Sequence, residues 1–178
     1  FSGQFNFIST RLVYGNVTMD AREEDATALN LKSPYALAKK YMESQLLLMG
    51  THNQLNAKIL RLGVPYGTLT GQLFNSGTIG SFQTQAEAGE ITLFGDGRQK
   101  RTFTHILDLF EVLHQLQTDL CGTEIYNIHG ETLMLKQVAE IIAAKKNANV
   151  NFIPFPKHAG QIESGDTQFD CSKIKKKL

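Results

Sequence analysis

The sequence is short of cysteine, of net charge and of long apolar runs, and each shortage removes a class of function. Only Cys121 and Cys171 occur in 178 residues. They form no metal-type cluster and read as two reduced thiols of a cytoplasmic protein, with no metal site expected. The formal net charge is +1, so no broad basic surface argues for nucleic acid or an anionic membrane. The one basic run, KIKKKL at the end, reads as a solvated last helical turn or tail. No apolar run reaches the length of a membrane span, and no signal peptide is visible. Internal repeats and low-complexity linkers are missing too. So is an initiator methionine: the chain opens FSGQFNFIST and enters an apolar strand almost at once. From that abrupt start we expect a fragment.

What is present is ordinary globular composition, 42% hydrophobic and 20% charged, with enough length for a domain with a real core. Residues 5–9 alternate and read as a strand ending at Ser9 or Thr10. Residues 16–33 are polar and irregular and read as a loop. A helix is expected over 34–49, with Ala38, Tyr41, Met42 and Leu46 at helical spacing and Gly50 as its stop. AKILRLGV is expected to be one short strand, followed by the turn-rich loop PYGTLTG. A further helix is expected over 76–87, stopped by Gly89. ITLF, RTFTHI and EIYNI read as strands, GDG as a tight turn, and Asp108 as the residue that caps or opens a helix running to about Gln117. LKQVAEIIAAKK reads as an amphipathic helix. NFIPF and TQFD read as short extended pieces. Strands alternating with helices argue for an α/β protein with a largely parallel sheet. In such sheets ligands bind beyond the carboxyl ends of the strands, where Thr10 and Gly63 fall.

The stretch SPYALAKK carries chemistry. Pro34 suits a first helical turn, and Tyr35 and Lys39, four apart, share a helix face. An ammonium beside a phenol favours the phenolate, which would make Tyr35 a proton donor and acceptor. An exposed helix pair is the plainer reading of the spacing alone. Likewise, Ser9 and Thr10 alone read as a strand end bonding its own backbone.

Taken together, FISTRLVYG, SPYALAKK, ILRLGVPYG, ITLFGDGRQKRTF, EIYNIHG and ESGDTQFDCSK resemble, in order and spacing, the extended short-chain dehydrogenase/reductases. Within them the resemblance is to the NAD-dependent nucleotide-sugar epimerase/dehydratase group. It implies a partial Rossmann-like parallel sheet plus a small α/β substrate-binding domain. Residues 1–67 would be the C-terminal part of the NAD-binding domain. Residues 68–178 would mainly bind the nucleotide sugar, with 101–130 partly returning to the first domain. The family's Gly-rich dinucleotide loop is not found in this chain, so the missing N-terminal Rossmann half is expected as a partner. A nucleotide-diphosphate sugar as substrate, NAD rather than NADP as cofactor, and a homodimer in the intact enzyme are further implications.

The resemblance also assigns roles. Thr10 would hold the sugar hydroxyl or carbonyl being oxidised or reduced, Tyr35 would be the general acid/base, and Lys39 would tune Tyr35 and hold the nicotinamide ribose. Gly63 and Pro65 would line the cofactor. Arg101 would hold the nucleotide diphosphate, with a surface salt bridge as the plainer alternative. Phe94 would pack on the base, or be a core residue. Asp166 would lie near the nucleotide ribose. Departures are Val64 where the family commonly has asparagine, Glu163 where many members have arginine, and RTF in place of RDF. Arg11 and Leu12 stand where dehydratases of the family carry Asp-Glu, and Leu12 stands where decarboxylases carry Glu. Dehydration and decarboxylation are therefore disfavoured. C4 epimerisation through a transient keto sugar remains, with reduction of a keto sugar, a non-catalytic nucleotide binder or an inactive truncated product as alternatives. Arg11, beside Thr10, either pairs with substrate or faces solvent, and solvent is the expectation.

Overall fold

The computed structural model describes residues 3–15, 19–26, 31, 33–52, 55–69, 77–119, 122–156 and 166–178. Strand β1 (Gln4–Thr10) runs into a 3-10 turn (Arg11–Tyr14), and a second 3-10 turn covers Glu23–Asp25. Then come α1 (Pro34–Thr51), β2 (Asn56–Leu62), β3 (Val64–Tyr66), α2 (Gly77–Glu87), β4 (Glu90–Phe94) and β5 (Lys100–His105). The chain continues with α3 (Ile106–Leu116), β6 (Glu124–Asn127), β7 (Glu131–Met134), α4 (Leu135–Lys146), β8 (Asn149–Ile153) and α5 (Ser172–Lys177). This is a mixed α/β fold with mostly parallel pairing. One sheet is β1-β2-β6, all parallel, with Thr10 opposite Leu62 and Arg61 opposite Asn127. A second is β3-β5-β7, parallel then antiparallel, and β4 pairs with β8 in parallel.

The central strand β2 is covered on both faces. Its odd positions, Ala57 and Ile59, pack with Leu46 of α1. Its even positions, Leu60 and Leu62, pack with Leu109, Val112 and Leu116 of α3 and Ile174 of α5. Alternation along a strand makes these opposite faces. A second core joins Phe82 and Ala86 of α2, Ile91 and Leu93 of β4, Phe103 of β5, and Val138, Ala139 and Ala143 of α4. The outer edge of β6 is closed by side chains. Lys173 Nζ donates to the Ile125 carbonyl at 2.9 Å, and the Asn127 N–H donates to Glu23 Oε1 at 2.8 Å. Such capping removes the exposed ladder groups that would otherwise pair with another strand.

Several local expectations are corrected. AKILRLGV is not one strand: it breaks at Gly63, and β2 and β3 belong to different sheets. A Cβ at Gly63 would lie 2.1 Å from the Thr102 carbonyl oxygen, so the crossing requires glycine. Gly50 does not stop α1, which continues to Thr51. A Cβ there would lie 2.4 Å from Thr123 Cβ, so this glycine serves close packing. The buried face of α1 is Ala36, Glu43 and Leu46, while Tyr41 and Met42 are exposed. An ion pair made by Glu43, described below, selects that face. His105, not Asp108, caps α3, its Nδ1 accepting from the Leu107 N–H at 3.3 Å. Strand β7 was not anticipated. Within the expected 16–33 loop, Glu23–Asp25 form a turn and Ala21 bridges Phe169. Ser76 lies outside the described residues.

Alanine in place of an interior helical glycine ordinarily stabilises by about 1 kcal/mol. At Gly50 the clash with Thr123 reverses the sign. We expect Gly50→Ala to destabilise the fold by about 1–3 kcal/mol, read as a lower urea midpoint. A midpoint at or above wild type would contradict the packing role.

Candidate functional site at the end of the parallel sheet

Helix α1 begins where its sequence dictates. Ser33 caps it by accepting the Ala36 N–H at 3.2 Å, and Pro34 occupies the first turn. Tyr35, Lys39 and Glu43 then follow one another on successive turns of one face. Lys39 Nζ donates to the Ile8 carbonyl of β1 at 2.7 Å and lies 4.7 Å from the Phe7 ring centroid and 5.8 Å from that of Tyr35. One turn on, Glu43 Oε1 accepts from Ser9 Oγ at 2.6 Å. These two bonds fasten α1 along the last residues of β1, beside Thr10. Tyr35 itself is 54% exposed.

Thr10 is almost wholly buried, and its Oγ1 accepts from the Leu12 N–H at 3.3 Å, opening the first 3-10 turn. The local-backbone role is thus present. Accepting leaves the hydroxyl its own proton to donate. The structure therefore brings Thr10, Tyr35 and Lys39 to one rim. Gly63 follows Leu62, the register partner of Thr10, and the exposed Pro65 pairs with Thr104 on β5.

Under this rim lies a polar network that the motif reading missed. Arg61 and Glu43, both fully buried, pair through two parallel bonds, Nη2 to Oε2 at 2.7 Å and Nε to Oε1 at 2.9 Å. Arg61 Nη1 also donates to Tyr14 Oη at 2.9 Å and to the Glu23 carbonyl at 2.7 Å. Tyr14 Oη donates to Asn127 Oδ1 at 2.5 Å, and Asn127 Nδ2 donates to the carbonyls of Ala21 and Asp170. Burial alone would push the Glu43 carboxyl up. The hydrogen bonds and charge of Arg61, with Ser9 and Lys40, outweigh it and hold the carboxyl below its ordinary value. Burial raises the Tyr14 phenol well above its ordinary range despite Arg61, so it acts as a neutral link. The signal available in the sequence was an arginine inside the apolar run AKILRLGV and a glutamate four residues beyond Lys39.

The residues expected at the nucleotide are placed as follows. Arg101 is buried on β5, not at the surface, and its Nη1 donates to the Lys100 carbonyl at 2.8 Å. Asp166 Oδ1 accepts from the Lys100 N–H at 2.8 Å, so Asp166 and Arg101 meet at Lys100. Phe94 ends β4, on another sheet; it is 42% exposed rather than a core residue, with its centroid 6.0 Å from that of Phe155. Arg11 does not simply face solvent: it is half-buried and donates from Nη1 to Thr167 Oγ1 at 3.2 Å. Val64 begins β3 and packs on the second core. Glu163 and Cys121 lie outside the described residues. Cys171 is a free thiol that burial pushes up to about 12. Among the described residues, no three metal-ligating side chains cluster, and no helix is long and apolar enough to cross a membrane.

A cleft of about 510 Å³ lies elsewhere, between the Glu23–Asp25 turn, β6 and α5. None of the expected site residues lines it, and several of its charged walls bond one another, as Arg22 does Asp170. The chemistry therefore locates the candidate site at the rim, not in the cleft.

Comparison with known proteins identifies the family. A model of the NAD dependent epimerase/dehydratase family matches residues 2–128. A dTDP-4-dehydro-6-deoxy-D-allose reductase from a Streptomyces species is 35% identical over 106 residues, 57% of this chain and 32% of that protein. A UDP-N-acetyl-alpha-D-glucosaminuronate decarboxylase from Bacillus cytotoxicus is 28% identical over 179 residues, 95% of this chain and 56% of that protein. The solved UDP-glucose 4-epimerase of Thermus thermophilus, in complex with NAD, superposes with a TM-score of 0.81 at 24% identity. That match covers 98% of this chain and 57% of that one. The structural likeness shows the fold. The chain spans between a third and somewhat over half the length of these relatives. It belongs to the NAD-dependent epimerase/dehydratase family.

Removing one partner of a buried ion pair costs about 3–5 kcal/mol, because the other charge is left unpaired. We expect that loss for Glu43→Gln, measured by urea unfolding at pH 7. The Glu43 value is depressed in the fold, so its contribution is complete above the ordinary glutamate value of about 4.3 and is lost as pH falls through the folded value. The difference between wild type and Glu43→Gln should accordingly shrink in acid. An equal difference at pH 7 and in acid would exclude the pair as its source.

Proposed function

We propose that this member of the family carries the proton-transfer and sugar-nucleotide end of an NAD-dependent nucleotide-sugar C4 epimerase. The observation that carries the reading is the fastening of α1 to β1 by Lys39 on Ile8, which sets Tyr35 and Lys39 beside Thr10. In this reading Thr10 holds the C4 hydroxyl, and Tyr35 takes its proton and later returns it. Of the three Lys39 donors one is spent on Ile8. The others remain for ribose hydroxyls, so the residues fit the nicotinamide end of the cofactor. Gly63 and Pro65 line its path. NAD, when bound, supplies a hydride acceptor and donor at C4, and the net result is inversion through a transient keto sugar. The described residues contain no Gly-rich strand-to-helix turn, so the pyrophosphate would find its partners beyond them, in an N-terminal Rossmann half.

Arg101 and Asp166 hold the nucleotide diphosphate and ribose, and Phe94 offers an exposed ring to the base. The domain division follows, with residues 1–67 on the cofactor side and 68–178 mainly on the sugar-nucleotide side. A cytoplasmic homodimer is part of the reading. The exposed Leu37, Tyr41 and Leu48 of α1 supply an apolar face for it. The names of the relatives span reduction, decarboxylation and epimerisation. Arg11 and Leu12 disfavour decarboxylation, since neither can serve as the carboxylate acid or base of water or carbon dioxide loss, and epimerisation needs only Thr10, Tyr35, Lys39 and NAD. A second reading, reduction of a keto-sugar nucleotide, is favoured by the 35% identity to the reductase.

Incubating the full-length enzyme with UDP- and dTDP-hexoses and catalytic NAD, and in parallel with a 4-keto-6-deoxy nucleotide sugar and stoichiometric NADH, followed by NMR, separates these. We expect interconversion of C4 epimers with no net change in nicotinamide. Stoichiometric consumption of reduced cofactor would favour the reductase, and accumulation of a 4-keto-6-deoxy sugar would overturn both. Tyr35→Phe should lower turnover by about 10²–10⁴-fold while leaving sugar-nucleotide affinity nearly unchanged. Full activity in that variant would remove Tyr35 from the mechanism.

A further inference from the structure

We infer that Arg11 is a positioning residue that fixes the separation between Thr10 and the segment gripping Arg101, and so sets the sugar's reacting carbon against Tyr35. The inference rests on the functional reading above and assigns a device within that site.

The path can be followed bond by bond. Thr10 caps the 3-10 turn through the Leu12 N–H, so the backbone direction of Arg11 is set by Thr10. From there Arg11 Nη1 donates to Thr167 Oγ1 at 3.2 Å. Thr167 is 2% exposed, which makes it a fixed acceptor rather than a wandering surface hydroxyl. The backbone of Thr167 in turn holds Lys100, its N–H donating to the Lys100 carbonyl at 3.3 Å, while Asp166 accepts the Lys100 N–H at 2.8 Å. Arg101 completes the path by donating to that same Lys100 carbonyl at 2.8 Å. Residues 10–11, 166–167 and 100–101 thus form one bonded route from the first sheet to the second. They are separated by as much as 156 positions in sequence.

The two ends of this route have different proposed tasks. Arg101 grips the diphosphate and Thr10 the hydroxyl to be oxidised, so the length of the route sets where C4 falls when the diphosphate is seated. Displacement of a reacting atom by about 1 Å costs on the order of 10²-fold in rate. Arg11 is not itself the acid or base, because a guanidinium does not give up its proton in proteins. Its effect should fall on turnover and not on affinity for the nucleotide part.

The test uses Arg11→Ala, Arg11→Lys, Thr167→Val and the Arg11→Ala/Thr167→Val double variant of the full-length enzyme. Turnover is measured with the epimerised nucleotide hexose, and affinity by calorimetry with UDP and dTDP. Arg11→Ala and Thr167→Val should each lower kcat by about 10- to 100-fold, with nucleoside diphosphate Kd within about twofold of wild type. The double variant should be no worse than the worse single, as for two members of one linkage. Arg11→Lys should recover part of kcat. Wild-type kcat in Arg11→Ala, multiplicative losses in the double variant, or a matching loss of diphosphate affinity would each overturn the inference while leaving the functional reading in place. Absence of epimerisation by the wild-type enzyme would overturn the functional reading and this inference with it.

Discussion

The paired charges of Arg61 and Glu43 are the constraint on which the rest of the site depends. A buried ion pair repays its desolvation only when its remaining donors and acceptors are also bonded, and that requirement brings together six separate pieces of chain. Arg61 comes from β2 and Glu43 from α1. Ser9 comes from the end of β1, Tyr14 and the Glu23 carbonyl from the two 3-10 turns, and Asn127 from the end of β6. With Glu43 held, the rotation of α1 about its axis is fixed, which explains why polar Glu43 is inside and Tyr41 outside. Eight residues of helix separate Glu43 from Tyr35, about 12 Å at the helical rise. The position of the proposed acid/base is therefore set by a buried contact two turns away.

The central strand is anchored on its other face by a second buried charge. Lys58, three residues before Arg61 and so on the opposite face, is fully buried and meets Asp119 at 3.0 Å and the Gly122 carbonyl at 3.1 Å. Helix α1 is thus tied to one side of β2 and the end of α3 to the other. Hydrophobic burial supplies most of the stability of such a layer, but it is non-directional. The two charged side chains supply direction, since each tolerates one register of helix against strand.

What could be read in the sequence was what is local. The strand before Thr10, the first turn of α1, and the face shared by Tyr35 and Lys39 each depend on residues within a few positions, and all were legible. The break at Gly63 was not, because it answers to the Thr102 carbonyl of another strand. Gly50 read as a helix stop because glycine commonly is one, while here its reason is Thr123 across the sheet. His105 displaced Asp108 as the cap of α3 because β5 delivers its ring directly onto the Leu107 N–H. The same rule divides the site. Tyr35 and Lys39 were singled out by spacing and Thr10 by the resemblance, whereas the Arg61 network and the Arg11–Thr167 bond join residues up to 113 and 156 positions apart, which no periodicity encodes.

The division between exposed and buried polar groups also makes chemical sense. Tyr35 stands out from α1 where a substrate can reach it, and a side chain so exposed gains little precision from its own packing. Its precision has to come from its attachment. Lys39 and Glu43 provide that on the side of the first sheet, through Ile8 and Ser9. On the side of the second sheet the attachment includes the guanidinium–hydroxyl bond from Arg11 to Thr167, joined to the paired backbone contacts at Lys100. In the proposed reading such a site holds its acid/base through the first sheet and fixes the distance to its diphosphate end through the Arg11–Thr167 bond.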